Sequence, residues 1–189
     1  MIGFGGFSRR KGGGDRPPLT PASRWRRYLL EGLVVLGGVL LIHFWQVRHV
    51  PAGFAPEISG QLSDGATESL SAFRARHPGQ VVALHFWAEW CPICRMEEGN
   101  VSAVIKEVPL LTVAMQSGDG AAIARVLAAR ELAWPTLVDD AGAMSAAYGL
   151  KGVPAFIVID AAGNIRFAEV GYITRFGMRW RLWWAARFL

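Results

Sequence analysis

The stretch "VVALHFWAEWCPICRMEE", Val81–Glu98, holds both cysteines of the chain, Cys91 and Cys94. Val81–Trp87 is short, mostly apolar and rich in strand formers, as a buried central strand would be. From Cys91 the pattern changes, and "CPICRMEEGNVSAVIKEV" has helical periodicity. Pro92 falls where the first helical residue would stand, a place that suits its fixed φ and missing N–H. Cys91 then lies at or beside the N-cap. A sulfur there meets unpaired backbone N–H groups and the positive end of the helix dipole, and both stabilise a thiolate. The thiolate is the nucleophile of disulfide exchange. Cys94, one turn on, is placed to be more buried and to resolve a mixed disulfide. The three-residue offset brings the two sulfurs within bonding reach.

Downstream, "LLTVAMQ" reads as a second strand and "GAAIARVLAARE" as a helix. "TLVDD" is a strand or turn and "AMSAAYGL" a short helix. "PAFIVID" and "NIRFAEVG" form two strands of a hairpin, and "TRFGMRWRLWWAARF" a closing helix. Upstream, "EISGQLSDGATESL" carries a hairpin signal at Asp64-Gly65, and "SAFRARHPG" a short helix ended by Pro78-Gly79. The order is β-α-β-α, an insertion, then β-β-α. It predicts an α/β fold, a mixed central sheet flanked by helices.

The chain is 189 residues long, with a sequence pI near 9.8. The excess of positive charge sits in the tail. Residues 1–27 hold seven Lys/Arg and one acid, whereas from His49 onward twelve Lys/Arg face thirteen Asp/Glu. The folded part is therefore near neutral, which argues against a nucleic-acid surface. The tail, rich in Gly, Pro and Arg, reads as disordered and cytoplasmic. Residues 28–48 follow, with the run "YLLEGLVVLGGVLLIHFW" at Tyr28–Trp45. As a helix it is about 27 Å long, close to a hydrocarbon core. Basic residues crowd its N-terminal side, so the positive-inside rule predicts a single anchor with the remainder across the membrane. A cleaved signal peptide fits less well, because Gly53-Phe54-Ala55 lies far beyond the apolar run and is followed by Pro56. Residues 49–56 read as a linker and 57–189 as one domain, of a size that holds its own core. Behind such an anchor a bacterial domain faces the periplasm, at the inner membrane. Two cysteines in one C-x-x-C there read as a dedicated redox couple.

"FWAEWCPIC" resembles the active-site segment of the thioredoxin superfamily, and "GVPAFIVID" resembles its second signature. The resemblance covers residues 57–189 and is nearest the membrane-anchored TlpA/DsbE branch; "GYITRFGMRWRLWWA" is similar to ScsD proteins, associated with copper tolerance. It implies that Pro154 follows a cis peptide beside the cysteines and that the Val153 backbone pairs with extended substrate. Trp90 matches the family's exposed aromatic at the substrate surface, and Pro92 and Ile93 are the pair that tunes the potential. Where thioredoxin has a buried Asp, this chain has His85. The branch's Glu three residues after the second cysteine is matched by Glu97. Both are candidates for proton transfer, with a neutral core His and a solvated helix carboxylate as their alternatives. Glu98 is the less favoured carboxylate.

The resemblance implies a protein-disulfide oxidoreductase with no cofactor beyond the Cys91–Cys94 couple. It implies protein thiol and disulfide substrates, a reductive direction, and electrons from a membrane donor of the DsbD or ScsB type. A structural staple would close too short a loop to stabilise much. Zinc needs more ligands than the pair provides, and no metal site is expected. Cu(I) delivery by the same two thiolates is the rival from another class, and a disulfide oxidase is the rival in direction. In the closing helix, Phe176, Trp180, Trp183 and Trp184 share one stripe and Met178, Leu182 and Leu189 another. One stripe covers the sheet, and the other is free for core packing, a membrane or a partner.

Overall fold

The computed structural model describes residues 21–188, without the side chains at 21–24, 43, 44 and 46. Most of the expected tail lies outside that range. Two compact units divide near residue 41. The first is most of helix α1, Pro21–Val47, which begins before the expected anchor start at Tyr28. Among the described residues no helix is long and apolar enough to cross a membrane. The expected anchor, residues 28–48, includes three positions whose side chains are not described.

The second unit is built on a six-stranded sheet. Its strands are β1 (Gly53–Phe54), β4 (Val82–Trp87), β5 (Leu110–Met115), β6 (Thr136–Asp139), β7 (Ala155–Ile159) and β8 (Asn164–Val170). They lie in the order β1-β8-β7-β4-β5-β6. β4, β5 and β6 run parallel, and β7 and β8 are antiparallel additions. The mixed sheet expected from the element order is present. Gly53–Phe54, within the stretch read as a linker, pairs with β8 at the sheet edge.

The upstream hairpin is β2 (Ser59–Gln61) and β3 (Thr67–Ser69). Gly65 supplies the positive φ, +89°, that its turn needs. Ser69 then caps α2 (Leu70–Ala75), its Oγ accepting from Ala72 N at 3.0 Å. α3 (Pro92–Val104) follows β4, and α4 (Gly120–Ala129) follows β5. α5 (Ala143–Ala147) forms the insertion with β6, and α6 (Arg175–Phe188) closes the chain.

β4 is buried along its whole length. Its alternation divides the interior, since successive side chains point to opposite faces. Ala83 and Trp87 join Cys91, Cys94, Val101 and Met178 in one cluster. Val82, Leu84 and Phe86 join Leu70, Phe73 and Tyr148 in the other. α6 settles which of its stripes is core. Met178, Leu182 and Ala185 are buried, while Phe176, Trp180, Trp183, Trp184 and Phe188 are exposed. Neighbouring aromatic rings pack on one another, Trp184 and Phe188 with centroids 4.8 Å apart. Leu189 lies outside the described residues.

The insertion is held by one buried carboxylate. Asp139 Oδ1 accepts from Met144 N at 3.0 Å, and Oδ2 accepts from Ser145 N at 2.9 Å and Ser145 Oγ at 2.7 Å. Asp139→Ala leaves these buried donors unpaired, and we expect a loss of about 3 kcal/mol. Chemical denaturation of the full chain, followed by tryptophan fluorescence, measures it.

Candidate active site

The C-terminal end of β4 delivers the chain to its reactive segment. Two bonds fix the approach: Glu89 N donates to Ser117 Oγ at 3.0 Å, and Trp90 Nε1 donates to Gln116 O at 3.0 Å. Trp90 is therefore held by its indole nitrogen while its ring stays exposed. Cys91 is the N-cap of α3, and its sulfur accepts from Cys94 N at 3.1 Å. Pro92 is the first helical residue. Cys91 and Cys94 form a disulfide, with Cα atoms 5.3 Å apart.

The sulfurs are not equally placed along the chain, but both are nearly covered. Cys91 is 4% exposed and Cys94 3%. Cys91 Sγ lies 3.7 Å from the carbonyl oxygen of Val153. The Val153–Pro154 peptide is cis. That contact crosses sixty-two positions of sequence. It arises because β7 pairs with β4 in a register that sets Phe86 opposite Ala155. The end of one strand and the start of the next thus bring the cysteine and proline loops together. Ile93, the other residue between the cysteines, points outward and is exposed.

Glu97 is fully buried. On α3 it lies one turn beyond Cys94, on the same buried face. Its Oε1 accepts from Ile173 N, and its Oε2 has no hydrogen-bond partner. Burial pushes its pKa up from 4.5 to about 7, against the opposing pull of the Ile173 N–H. The solvated-carboxylate alternative is thereby removed. Glu98 differs: its Oε1 accepts from Arg130 Nη1 at 2.9 Å in an ion pair.

His85 is also buried, beside the backbone of Ala155 on the neighbouring strand. Its ring meets Trp134 edge-on with centroids 6.1 Å apart. Burial lowers its pKa to about 3, against the opposing pull of a hydrogen bond with the Ala155 backbone. It is a neutral core residue near pH 7 and too weak a base to take a thiol's proton. Of the two sequence candidates for proton transfer, burial brings the pKa of Glu97 towards neutrality and takes that of His85 away from it. Trp87 packs in the core against the same Trp134, with centroids 5.6 Å apart.

Three partners of the site carry no sequence signal: the Gln116 carbonyl, the Ile173 amide and Asn100. They act through backbone groups or a lone amide, and their contacts span twenty-six to seventy-six positions. Only the fold brings them in.

Residues 52–168 match the model of the AhpC/TSA family. The chain belongs to that family. It is 31% identical over 161 residues to the thiol:disulfide interchange protein DsbE of Escherichia coli K12, covering 77% of this chain and 86% of that protein. It is 28% identical over 121 residues to a DsbE homologue of Paracoccus denitrificans, covering 64% of this chain and 66% of the relative. Among solved structures, a thioredoxin-family thiol:disulfide interchange protein from Chlorobium tepidum aligns with a TM-score of 0.61. That alignment has 22% identity and covers 72% of this chain and 97% of the other, and it shows the thioredoxin-like fold. The chain is thus a DsbE-like member of a thiol:disulfide interchange family, with the C-x-x-C pair in place.

The raised pKa of Glu97 has a thermodynamic sign. The folded carboxyl holds its proton more tightly than the unfolded one. The stability this gives is complete below about pH 4.5 and is lost as pH rises to about 7, roughly 3 kcal/mol in all. We expect the urea midpoint of the oxidised chain to fall over that window. Glu97→Gln keeps an acceptor for Ile173 N and should flatten the fall. Parallel pH profiles for the two proteins would refute the assignment.

Proposed function

We propose that this chain is a membrane-anchored, periplasm-facing thiol:disulfide oxidoreductase working as a reductase. The observation that carries the exchange chemistry is the position of the Cys91 sulfur, at the N-terminus of α3 and against the Val153 carbonyl. When the pair is reduced, the helix N-terminus stabilises the Cys91 thiolate. That thiolate attacks a substrate disulfide, forming a Cys91–substrate bond and expelling one substrate thiolate. Cys94 loses its proton to Glu97 and attacks Cys91. The Cys91–Cys94 disulfide re-forms, and the second substrate thiolate leaves. Two electrons have passed to the substrate. The Val153 backbone aligns the substrate chain in extended form, and Trp90 borders it.

The lean towards reduction has a physical support. A carboxyl buried one turn beyond Cys94 becomes negative as pH rises through its pKa. Negative charge there disfavours a thiolate and so destabilises the reduced pair relative to the disulfide. A strong oxidant needs the opposite, a stabilised reduced form. Pro92 removes one N–H and adds no charge. Arg95, the nearest cation in sequence, donates instead to the Glu89 carbonyl at 3.2 Å. Such a reductase draws its two electrons from a membrane dithiol donor of the DsbD or ScsB type.

The anchor rests on α1. Leu30, Leu33, Val34, Val35, Leu36 and Leu41 are all exposed on it. These positions are spread around the whole circumference of a helix, which water disfavours and lipid does not. The basic residues before it support a cytoplasmic N-terminus by the positive-inside rule.

Cys94→Ser should stall exchange after the first attack and accumulate mixed disulfides on Cys91 in the periplasm, visible as reducible adducts on non-reducing gels. Cys91→Ser should lower disulfide reduction to the uncatalysed rate. Catalysis that survives loss of Cys91 would sink the exchange reading. Tight one-to-one Cu(I) binding by the reduced chain without any reductase activity would favour metal delivery. Release of the full chain from membranes by alkaline carbonate would remove the anchor.

A further inference from the structure

The four residues from Gly171 to Thr174, between β8 and α6, are stitched to both halves of the site. Gly171 N donates to Pro154 O at 2.8 Å. Ile173 N donates to Glu97 Oε1. Asn100 Nδ2 donates to Tyr172 Oη and to Ile173 O, each at 3.3 Å. The segment is thus fixed to the proline loop on one side and to α3 on the other. Ile173 turns inward and is buried, whereas the Tyr172 side chain is 49% exposed.

An aromatic ring held by its hydroxyl, with much of its surface open, has already lost part of its freedom before any partner arrives. A contact made by such a ring carries a smaller ordering cost than one made by a mobile chain. Exposed apolar side chains share the face of α3 that carries Asn100. Met96 lies one turn before Asn100 on α3, and Ile93 one turn before Met96, so the three share a helix face. Met96 is 70% exposed, Ile93 46% and Trp90 53%. The intervening cation, Arg95, is turned back to the Glu89 carbonyl. Exposed apolar side chains therefore stand along one face of α3, from beside the disulfide to the residue that holds Tyr172.

We propose that Tyr172, Met96 and Ile93 form a second wall of the substrate cleft, selecting protein segments in which a bulky apolar residue flanks the cysteine. The wall deepens the exchange reading above and rests on it. Val153 offers backbone atoms, which any sequence can pair with. The wall offers side-chain surface and is where sequence preference enters. Asn100 and Glu97 position it, one through the Tyr172 hydroxyl and the other through the Ile173 amide. Both tethers come from α3, so the wall moves with the helix that carries the cysteines.

The test uses the reduced full chain in detergent. Its substrates are short peptides whose single cysteine is a mixed disulfide with glutathione, preceded by Phe, Gly or Asp. Cys91 takes the peptide sulfur and expels glutathione thiolate. Cys94 then releases the peptide thiol, and the protein's dithiol supplies both electrons. We expect the second-order rate constant of this single-turnover reaction to favour the Phe peptide over the Gly peptide by about tenfold, the scale of one apolar contact, with the Asp peptide lowest. Tyr172→Ala should shrink that preference to about twofold or less, and Met96→Ala should shrink it in part. Tyr172→Phe keeps the ring and should keep most of the preference, which separates the wall from loss of folding. Equal rates for all three peptides, or an unchanged preference in Tyr172→Ala, would overturn the wall while leaving exchange intact. Failure to reduce any of the peptides would overturn the exchange reading and the wall together.

Discussion

The Cys91 sulfur has to satisfy two geometries at once. It caps α3 by accepting from Cys94 N, and it lies against the carbonyl of Val153, sixty-two positions away. The first is a local matter, decided by a proline at the first helical position and a strand that stops in time. The second depends on strand register. A shift of one residue between β4 and β7 would turn every alternating side chain to the opposite face. It would carry the proline loop away from the sulfur and put Trp87 on the side of Tyr148. Packing specifies that register, because the two buried faces of β4 and β7 hold side chains of different size in separate clusters. Core packing and active-site geometry are therefore fixed by the same pairing.

The interior is polar where it meets the site. Among the described residues, Trp87 Nε1 and Glu97 Oε2 are buried without a hydrogen-bond partner. One stands on the strand that leads into the cysteines and one on the helix that leads away. Buried polar atoms are usually paired, since leaving one unpaired costs about 1–3 kcal/mol. Elsewhere in this domain the rule is met: Asp139 is saturated by the insertion, and Thr112 and Thr136 share a hydroxyl contact of 2.7 Å. Local rules tend to be broken at functional sites. Here both exceptions stand beside the cysteine pair.

Much of this was legible in the sequence, for identifiable reasons. Strand and helix around the cysteines follow from a change of hydrophobic period and from Pro92. The hairpin at Asp64-Gly65 follows from turn chemistry, and the β-α-β-α, β-β-α order gives the mixed sheet. The closing helix was legible as two stripes, but not as to which stripe was core. Both are apolar, and the sheet surface that chooses Met178 and Leu182 over the tryptophans is assembled from distant strands. The short β1 pairing was hidden, because Gly53 and Phe54 carry no alternation of their own. Glu97 was visible only as a spacing, since nothing local distinguishes a buried carboxylate from a solvated one in the middle of a helix.

His85 and Glu97 show why burial changes opposite kinds of group in complementary ways. The same removal of water disfavours the charged form of each. For an imidazole that means losing the proton, and His85 falls to about 3, out of working range. For a carboxyl it means keeping the proton, and Glu97 rises to about 7, into it. A base must release and accept its proton near ambient pH to be effective. The residue type that titrates near neutrality in water is therefore silenced by the interior, and the type that does not is brought to neutrality by it. The order of the two pKa values is the reverse of that of the free residues. The reversal depends on burial being deep at both positions, which the packing of α3 against β4 and α6 provides.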